Sequence, residues 1–221
     1  MADQAPTIED YYREDRTFAP APEFVAAANL NDPAIYERAA VDPPAFWAEQ
    51  ARALLDWDTD FHTALEWNPP HAKWFVGGQL NVSYNCVDRH VHNGLGDRVA
   101  FHWEGEPGDT RTITYADLLV DVQRAANMLR ELGIDQADRV VIYLPMIPEA
   151  VVAMLACTRI GAAHSLVFGG FSPDALSDRI NDAGAVVAIT ADAGYRRGAP
   201  SLLKPNMDVA LADCPTVRSV V

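Results

Sequence analysis

The residues best suited to chemistry are Arg196 and Arg197, adjacent guanidiniums in the string Tyr195-Arg196-Arg197-Gly198. They stand in a 221-residue chain with 31 acidic side chains against 17 Lys and Arg, a formal charge of -14. Guanidinium binds phosphate oxygens in a bidentate way, so the loop is a candidate phosphate clamp. A solvated surface pair fits the same spacing. A second string, Phe168-Gly169-Gly170-Phe171-Ser172-Pro173, lies between an apolar run and a helical pattern. Its two glycines let a ligand approach the backbone, and the helix N-terminus beyond offers N–H groups to an anion. A tight strand-to-helix turn needs glycine as well, and the string is not the GxGxxG dinucleotide fingerprint. The third is the polar cluster Asn81, Asn85, Asp88, Arg89 and His90. Asn85 and Arg89, four apart, share a helix face, and the first reading is a structural hydrogen-bond network. His90 and His92, two apart, face different ways on a helix and do not form a metal pair.

Composition narrows the classes of partner. So acidic a chain repels a phosphate backbone, which argues against nucleic acid and anionic membranes, while a local arginine loop can still attract a small anion. Cys86, Cys157 and Cys214 are far apart and odd in number, so reduced thiols are expected rather than disulfides or a zinc site. The first residues are polar and acidic and do not read as a signal peptide. The apolar stretch 140–171 is broken by Pro145, Pro148, Glu149, Arg159 and His164, too often for a bilayer span. A soluble, cytoplasmic protein is the expectation.

These side chains must be positioned by regular elements. Residues 1–22, with Pro6, Pro20 and Pro22 among charges, read as a flexible leader. Short helices follow over 33–39 and 44–55, the second started by Asp42-Pro43-Pro44. The stretch 56–80 reads as irregular and aromatic. Four of the five tryptophans fall between 47 and 74, so this region must pack on something. From Asn81 the pattern becomes α/β. An Asn-capped helix runs to Gly94, and a strand spans 99–103. A turn over 104–111 precedes the return at Thr112-Ile113. A helix capped by Thr114 then carries an apolar stripe through Leu132 and stops at Gly133. Strands over 139–144, 163–167 and 185–190 alternate with helices over 148–160 and 173–181, which predicts a mostly parallel sheet covered on both faces. Residues 217–221 resemble the opening of a further strand. A domain seldom finishes on an uncapped apolar edge, so the chain reads as the first part of something longer.

One resemblance joins these strings. Residues 74–90, running Trp74-Phe75-Val76-Gly77-Gly78-Gln79-Leu80-Asn81 and on to Cys86-Val87-Asp88-Arg89-His90, are similar to a signature at the end of the N-terminal extension of acetyl-CoA synthetases. Trp103-Glu104-Gly105-Glu106-Pro107-Gly108, Thr112-Ile113-Thr114-Tyr115, the stretch Tyr143 to Ala150, Arg159-Ile160-Gly161-Ala162, the FGGFSP string and Asp192 to Gly198 match the first half of the same family in order and spacing. The resemblance covers about residues 23–221. It implies an acyl-adenylate-forming acid–CoA ligase: acetate and ATP give an acetyl-adenylate and pyrophosphate with Mg²⁺, and the thiol of CoA displaces AMP.

The implied fold class is α/β, with a helical N-terminal extension packed on a partial, mostly parallel subdomain of the adenylate-forming ligase fold. The implied division is 1–22 leader, 23–80 extension and 81–221 first part of the AMP-binding domain. Carried over residue by residue, Gly169 and Gly170 resemble glycines lining the CoA channel. Arg196, Arg197, Gly198 and Ala199 resemble the segment holding the CoA nucleotide phosphates. Ala199 departs from the pattern, since relatives often carry a basic residue there, and Arg197 is the candidate replacement.

Neither G-x-x-x-x-G-K-[ST] nor the family's Ser/Thr/Gly-rich phosphate loop occurs in the sequence. No catalytic residue and no metal ligand is therefore assigned. The ATP and Mg²⁺ sites are expected in a C-terminal part of the same enzyme, and the chain alone is expected to be inactive. A propionate–CoA or acetoacetate–CoA ligase fragment, a non-catalytic CoA- or nucleotide-binding module and a scaffolding domain are the alternatives. The string Leu80 to Cys86 resembles the acetate enzymes more closely.

Overall fold

The computed structural model describes residues 17–221; the beginning of the expected leader lies outside the described residues. By packing, the chain divides after Gln50. The first unit carries the short helices α1 (Pro22–Ala27) and α2 (Ala34–Val41) and the start of α3 (Pro43–Leu54). The Asp42 carboxylate accepts the Ala45 N–H at 3.0 Å, while Pro43 and Pro44 occupy the first turn, where a missing N–H costs nothing.

In the second unit, the stretch expected to be irregular contains an antiparallel hairpin, β1 (Thr63–Asn68) and β2 (His71–Val76). Phe75 of β2 packs with Trp57 and Phe61, with ring centroids 5.0 to 5.7 Å apart and Trp57 edge-on to both phenylalanines. A side chain at Gly78 would meet the Trp57 ring at 2.6 Å, which explains one glycine of the Gly77-Gly78 pair by packing. Residues 82–95 are helical as expected, but wound in wide π-type turns over Tyr84–Asp88 and Val91–Leu95. The hairpin β3 (Val99–Glu104) and β4 (Thr110–Thr114) leads into α4 (Tyr115–Glu131). Thr114 and Asp117 close a reciprocal capping box at its start, each side chain taking the other's backbone N–H at 3.1 Å.

The three strands expected to be parallel are so: β5 (Arg139–Tyr143), β6 (Ala163–Leu166) and β7 (Val187–Thr190). With β10 (Ser219–Val220) they form a sheet in the order β10-β7-β5-β6. The helices α5 (Pro148–Arg159), α6 (Pro173–Ala183) and α7 (Lys204–Leu211) complete the cover. Successive residues of β5 serve opposite faces. Val140 and Ile142 join Leu129 of α4 and Ala153 of α5, whereas Val141 and Tyr143 join Leu176 and Ile180 of α6 and Met207 of α7. Val140 to Tyr143 are fully buried, as a strand covered on both faces requires. Between β7 and α7 the chain makes a small antiparallel hairpin, β8 (Ala193–Arg196) and β9 (Ala199–Leu202), which periodicity does not reveal.

Candidate CoA-phosphate site

The hairpin β8–β9 and the Phe168–Ser172 loop both follow the carboxyl ends of parallel strands, the edge where open α/β sheets bind ligands. Tyr143, last in β5, builds the floor. Its hydroxyl lies 3.2 Å from the Gly169 carbonyl and 3.1 Å from that of Phe171, and donates between them. Asn206 of α7 donates to the same hydroxyl at 3.4 Å. Gly194 packs against Pro145, where an added Cβ would come within 2.7 Å of the proline ring. At the hairpin's far end, the carbonyl of Asp192 accepts from Leu203 and Lys204 at 3.1 and 3.2 Å.

This geometry brings together two of the sequence-derived candidates. The Arg196 guanidinium lies over the exposed Phe168 ring, 5.2 Å from its centroid, and beside Gly170. A Cβ at Gly170 would collide with Arg196 Nη1 and approach Phe168 Cε1 to 2.6 Å. Gly170 is therefore the residue that leaves room for the guanidinium. Arg197 and Gly198 form the hairpin turn, at φ 55° and 78°. Positive φ at both central residues matches the type I′ pattern, whose usual first residue is Asn, Asp or Gly rather than Arg. Gly169, half-buried, faces Leu203 and the Leu144 carbonyl, so it lines the loop's inner side. Ala199, exposed, pairs across the hairpin with Arg196. Among the described residues neither Arg196 nor Arg197 has an ion pair, so both guanidiniums remain available to an anion. The anion-binding helix start is less open than expected. Pro173 lacks an N–H, and Ser172 Oγ takes the Ala175 N–H at 3.4 Å.

Two contributors escape a sequence reading. Tyr143 could have been suspected as the polar-tipped residue that ends an apolar run. Glu106, whose carboxylate accepts the Gly198 N–H from 92 positions away, carries no such signal.

The polar cluster is of the other kind. Asn81 Oδ1 caps the helical segment by accepting the Tyr84 N–H at 3.0 Å, and its Nδ2 donates to the Arg159 carbonyl at 3.0 Å. Asn85 exchanges hydrogen bonds with the backbone of Asp56, at 2.8 and 2.9 Å. Arg89 donates to the Leu54 carbonyl at 2.8 Å. Asp88, its side chain 8% exposed, forms a bidentate pair with Arg159 at 2.7 and 2.8 Å. The Asp88 hydrogen bonds raise the Arg159 pKa above its ordinary value, with burial opposing. The expected structural network is therefore present, and its main partner is the last residue of α5. His90 and His92 pack on different rings, Tyr115 and Tyr84. The cysteines are free thiols, and burial pushes Cys157 up to about 11, the reverse of an activated nucleophile.

A parallel α/β sheet with a glycine loop and an arginine turn at its carboxyl edge is the frame of a nucleotide- or cofactor-binding α/β domain. The family model described as "AMP-binding enzyme" matches residues 87–220, and the chain belongs to that family. Residues 33–86 match a second model, "Acetyl-coenzyme A synthetase N-terminus". The acetyl-coenzyme A synthetase of Gemmatimonas aurantiaca is 58% identical over 214 residues, covering 97% of this chain and 33% of that protein. The Streptomyces avermitilis acetyl-coenzyme A synthetase is 59% identical over 216 residues, again 97% of this chain and 33% of the relative. That of Mycobacterium tuberculosis is 54% identical over 217 residues, 97% and 32%. The chain thus spans about a third of the length of these curated relatives. Among the described residues, no helix is long and apolar enough to cross a membrane.

Proposed function

We propose that this chain supplies the N-terminal part of a cytoplasmic acetate–CoA ligase, in which acetate, ATP and CoA become acetyl-CoA, AMP and pyrophosphate through an acetyl-adenylate. Its residues 23–80 are the extension, and 81–221 the opening of the AMP-binding domain. Within the reaction this part holds CoA. Gly169 and Gly170 flank the path of the cofactor, and Arg196, Arg197, Gly198 and Ala199 present charge and backbone to its nucleotide phosphates. The observation that carries this reading is the guanidinium of Arg196, without an ion pair among the described residues and stacked on Phe168 over the space left by Gly170.

Adenylation needs charge stabilisation on the transferred phosphoryl group. The sequence carries no recognisable phosphate loop, so no step of adenylation is assigned to these residues. Acetyl-adenylate formation belongs to other residues of the ligase. Acetate- and ATP-dependent pyrophosphate exchange should therefore be absent from the purified 221-residue chain. Calorimetry should instead find CoA binding that weakens with salt, as expected for charge at an exposed site. Arg196→Ala should lower the CoA affinity roughly 10- to 150-fold, the equivalent of one charged hydrogen bond. Equal CoA binding by parent and variant would return Arg196 to the solvated surface.

A further inference from the structure

We propose that Glu106 is a positioning residue for the Arg196–Arg197 turn, a role that rests on the CoA reading above. Its carboxylate accepts the N–H of Gly198 and so ties the tip of β8–β9 to the tip of β3–β4. The two hairpins are unequal in stiffness. Trp103 of β3 donates its indole N–H to the Met146 carbonyl at 2.7 Å, and Arg111 of β4 pairs with Glu149 at 2.6 Å. The β3–β4 hairpin is thereby braced against the start of α5. Its turn is closed by Gly105 and Asp109, with the Gly105 N–H on the Asp109 carbonyl at 2.8 Å. Residues 195–200, in contrast, are all exposed. Their root is held by Asp192 and Pro145, but the turn itself lies beyond those contacts.

That turn also keeps a non-glycine residue in the left-handed region, Arg197 at φ 55°. A bulky residue there is unfavourable and persists when its surroundings over-determine it. Beside the Arg196–Ala199 pairing of the ladder, the Glu106–Gly198 bond supplies such a restraint from outside the hairpin. Among the described residues Glu106 has no ion pair with either arginine. Its charge is therefore directed at backbone and leaves both guanidiniums free. A carboxylate near an anion site repels the anion over a few ångströms, and this placement is useful only if fixing the turn outweighs that repulsion. The acceptor oxygen, not the charge, is then the working feature. Glutamine should replace Glu106, and alanine should not.

The test follows the Gly198 amide by hydrogen exchange and NMR, alongside calorimetric CoA titration, on the parent chain, Glu106→Gln, Glu106→Ala and Arg196→Ala. Glu106→Ala should lose the Gly198 protection and weaken CoA binding roughly 10-fold, with an unchanged urea midpoint. Glu106→Gln should keep both the protection and at least the parent affinity. Parent-like or tighter binding by Glu106→Ala overturns the proposal, as does a Glu106→Gln variant no better than alanine. Gly198 protection that survives in Glu106→Ala removes the tether outright. If the parent binds no CoA, or Arg196→Ala binds as the parent does, the CoA reading fails and the positioning role with it; the tether is still judged by the amide.

Discussion

Arg159 and Arg196 are the same residue type at two ends of one α/β unit, and the fold uses them in opposite ways. Arg159, its side chain 26% exposed, has both terminal nitrogens on Asp88, while its carbonyl takes Asn81. The bidentate face of that head group is thereby taken up inside the chain. Arg196 has a ring beneath it, a glycine beside it and no ion-pair partner among the described residues. The first region is a joint between the 54–56 backbone, the helical segment 82–95 and the end of α5. The second is a rim. The lesson is that charge and motif rarity do not separate binding from scaffolding. What separates them is whether the polar atoms are already satisfied inside the chain.

The largest effect that would sharpen this contrast lies in the joint. Asp88→Ala leaves the Arg159 guanidinium half-buried beside an empty acceptor position. Breaking one side of such a pair costs several kcal/mol, about 3–5 where burial is complete, and Arg159's partial exposure places the expectation near the lower end. Urea unfolding should record that loss, while whatever folded protein remains binds CoA as before. An unchanged urea midpoint would show that the joint does not hold the fold, and the contrast would collapse from that side.

A smaller effect, of opposite kind, is expected at the rim. In Gly170→Ala the atoms nearest the new methyl belong to the ends of two exposed side chains, Arg196 and Phe168. Both can swing aside, so stability should change by less than about 1 kcal/mol. The guanidinium is displaced nonetheless, and CoA affinity should drop roughly 3- to 10-fold. A variant that unfolds readily but binds CoA normally would mean that Gly170 serves the turn and not the ligand.

How much of this was readable beforehand differs between the regions for physical reasons. Strands β5 and β7 announce themselves because a two-sided burial demands unbroken apolar runs such as Val140 to Leu144, whereas β6, an edge strand carrying His164 and Ser165, is legible only through its place between two helical patterns. The start of α4 is equally plain, since Thr114 and Asp117 stand three apart before an apolar stripe. The hairpin β1–β2 is silent because most of its residues are exposed and no alternation survives. The hairpin β8–β9 is silent too: Pro200 sits in one strand, and Arg197-Gly198 is not among the dipeptides that mark a type I′ turn. In the joint, the residues of the network were visible, but the pairing of Asp88 with Arg159 spans 71 positions and is made only by the tertiary fold. At the rim, the arginines were visible, whereas their support from Tyr143 and Glu106 was not.

The smallest expected effect concerns the turn's own backbone. Arg197 holds φ 55°, where asparagine is markedly easier to place. If nothing but folding chose this residue, Arg197→Asn would be close to an improvement. It removes an unfavourable side chain from the left-handed region and should raise stability by a few tenths of a kcal/mol, about 0.5 at most, as favourable turn replacements do. The rim reading adds a second expectation. Position 199 is alanine, so Arg197 is the neighbouring charge available beside Arg196, and losing it should weaken CoA binding several-fold, with a shallower dependence on salt. Stability and affinity would then move in opposite directions in a single variant, the mark of strain retained for a ligand rather than for the fold. Denaturation and calorimetry on the same preparation decide it. A gain in stability with CoA affinity and salt dependence untouched would leave Arg197 as an ordinary solvated residue and confine the site to Arg196.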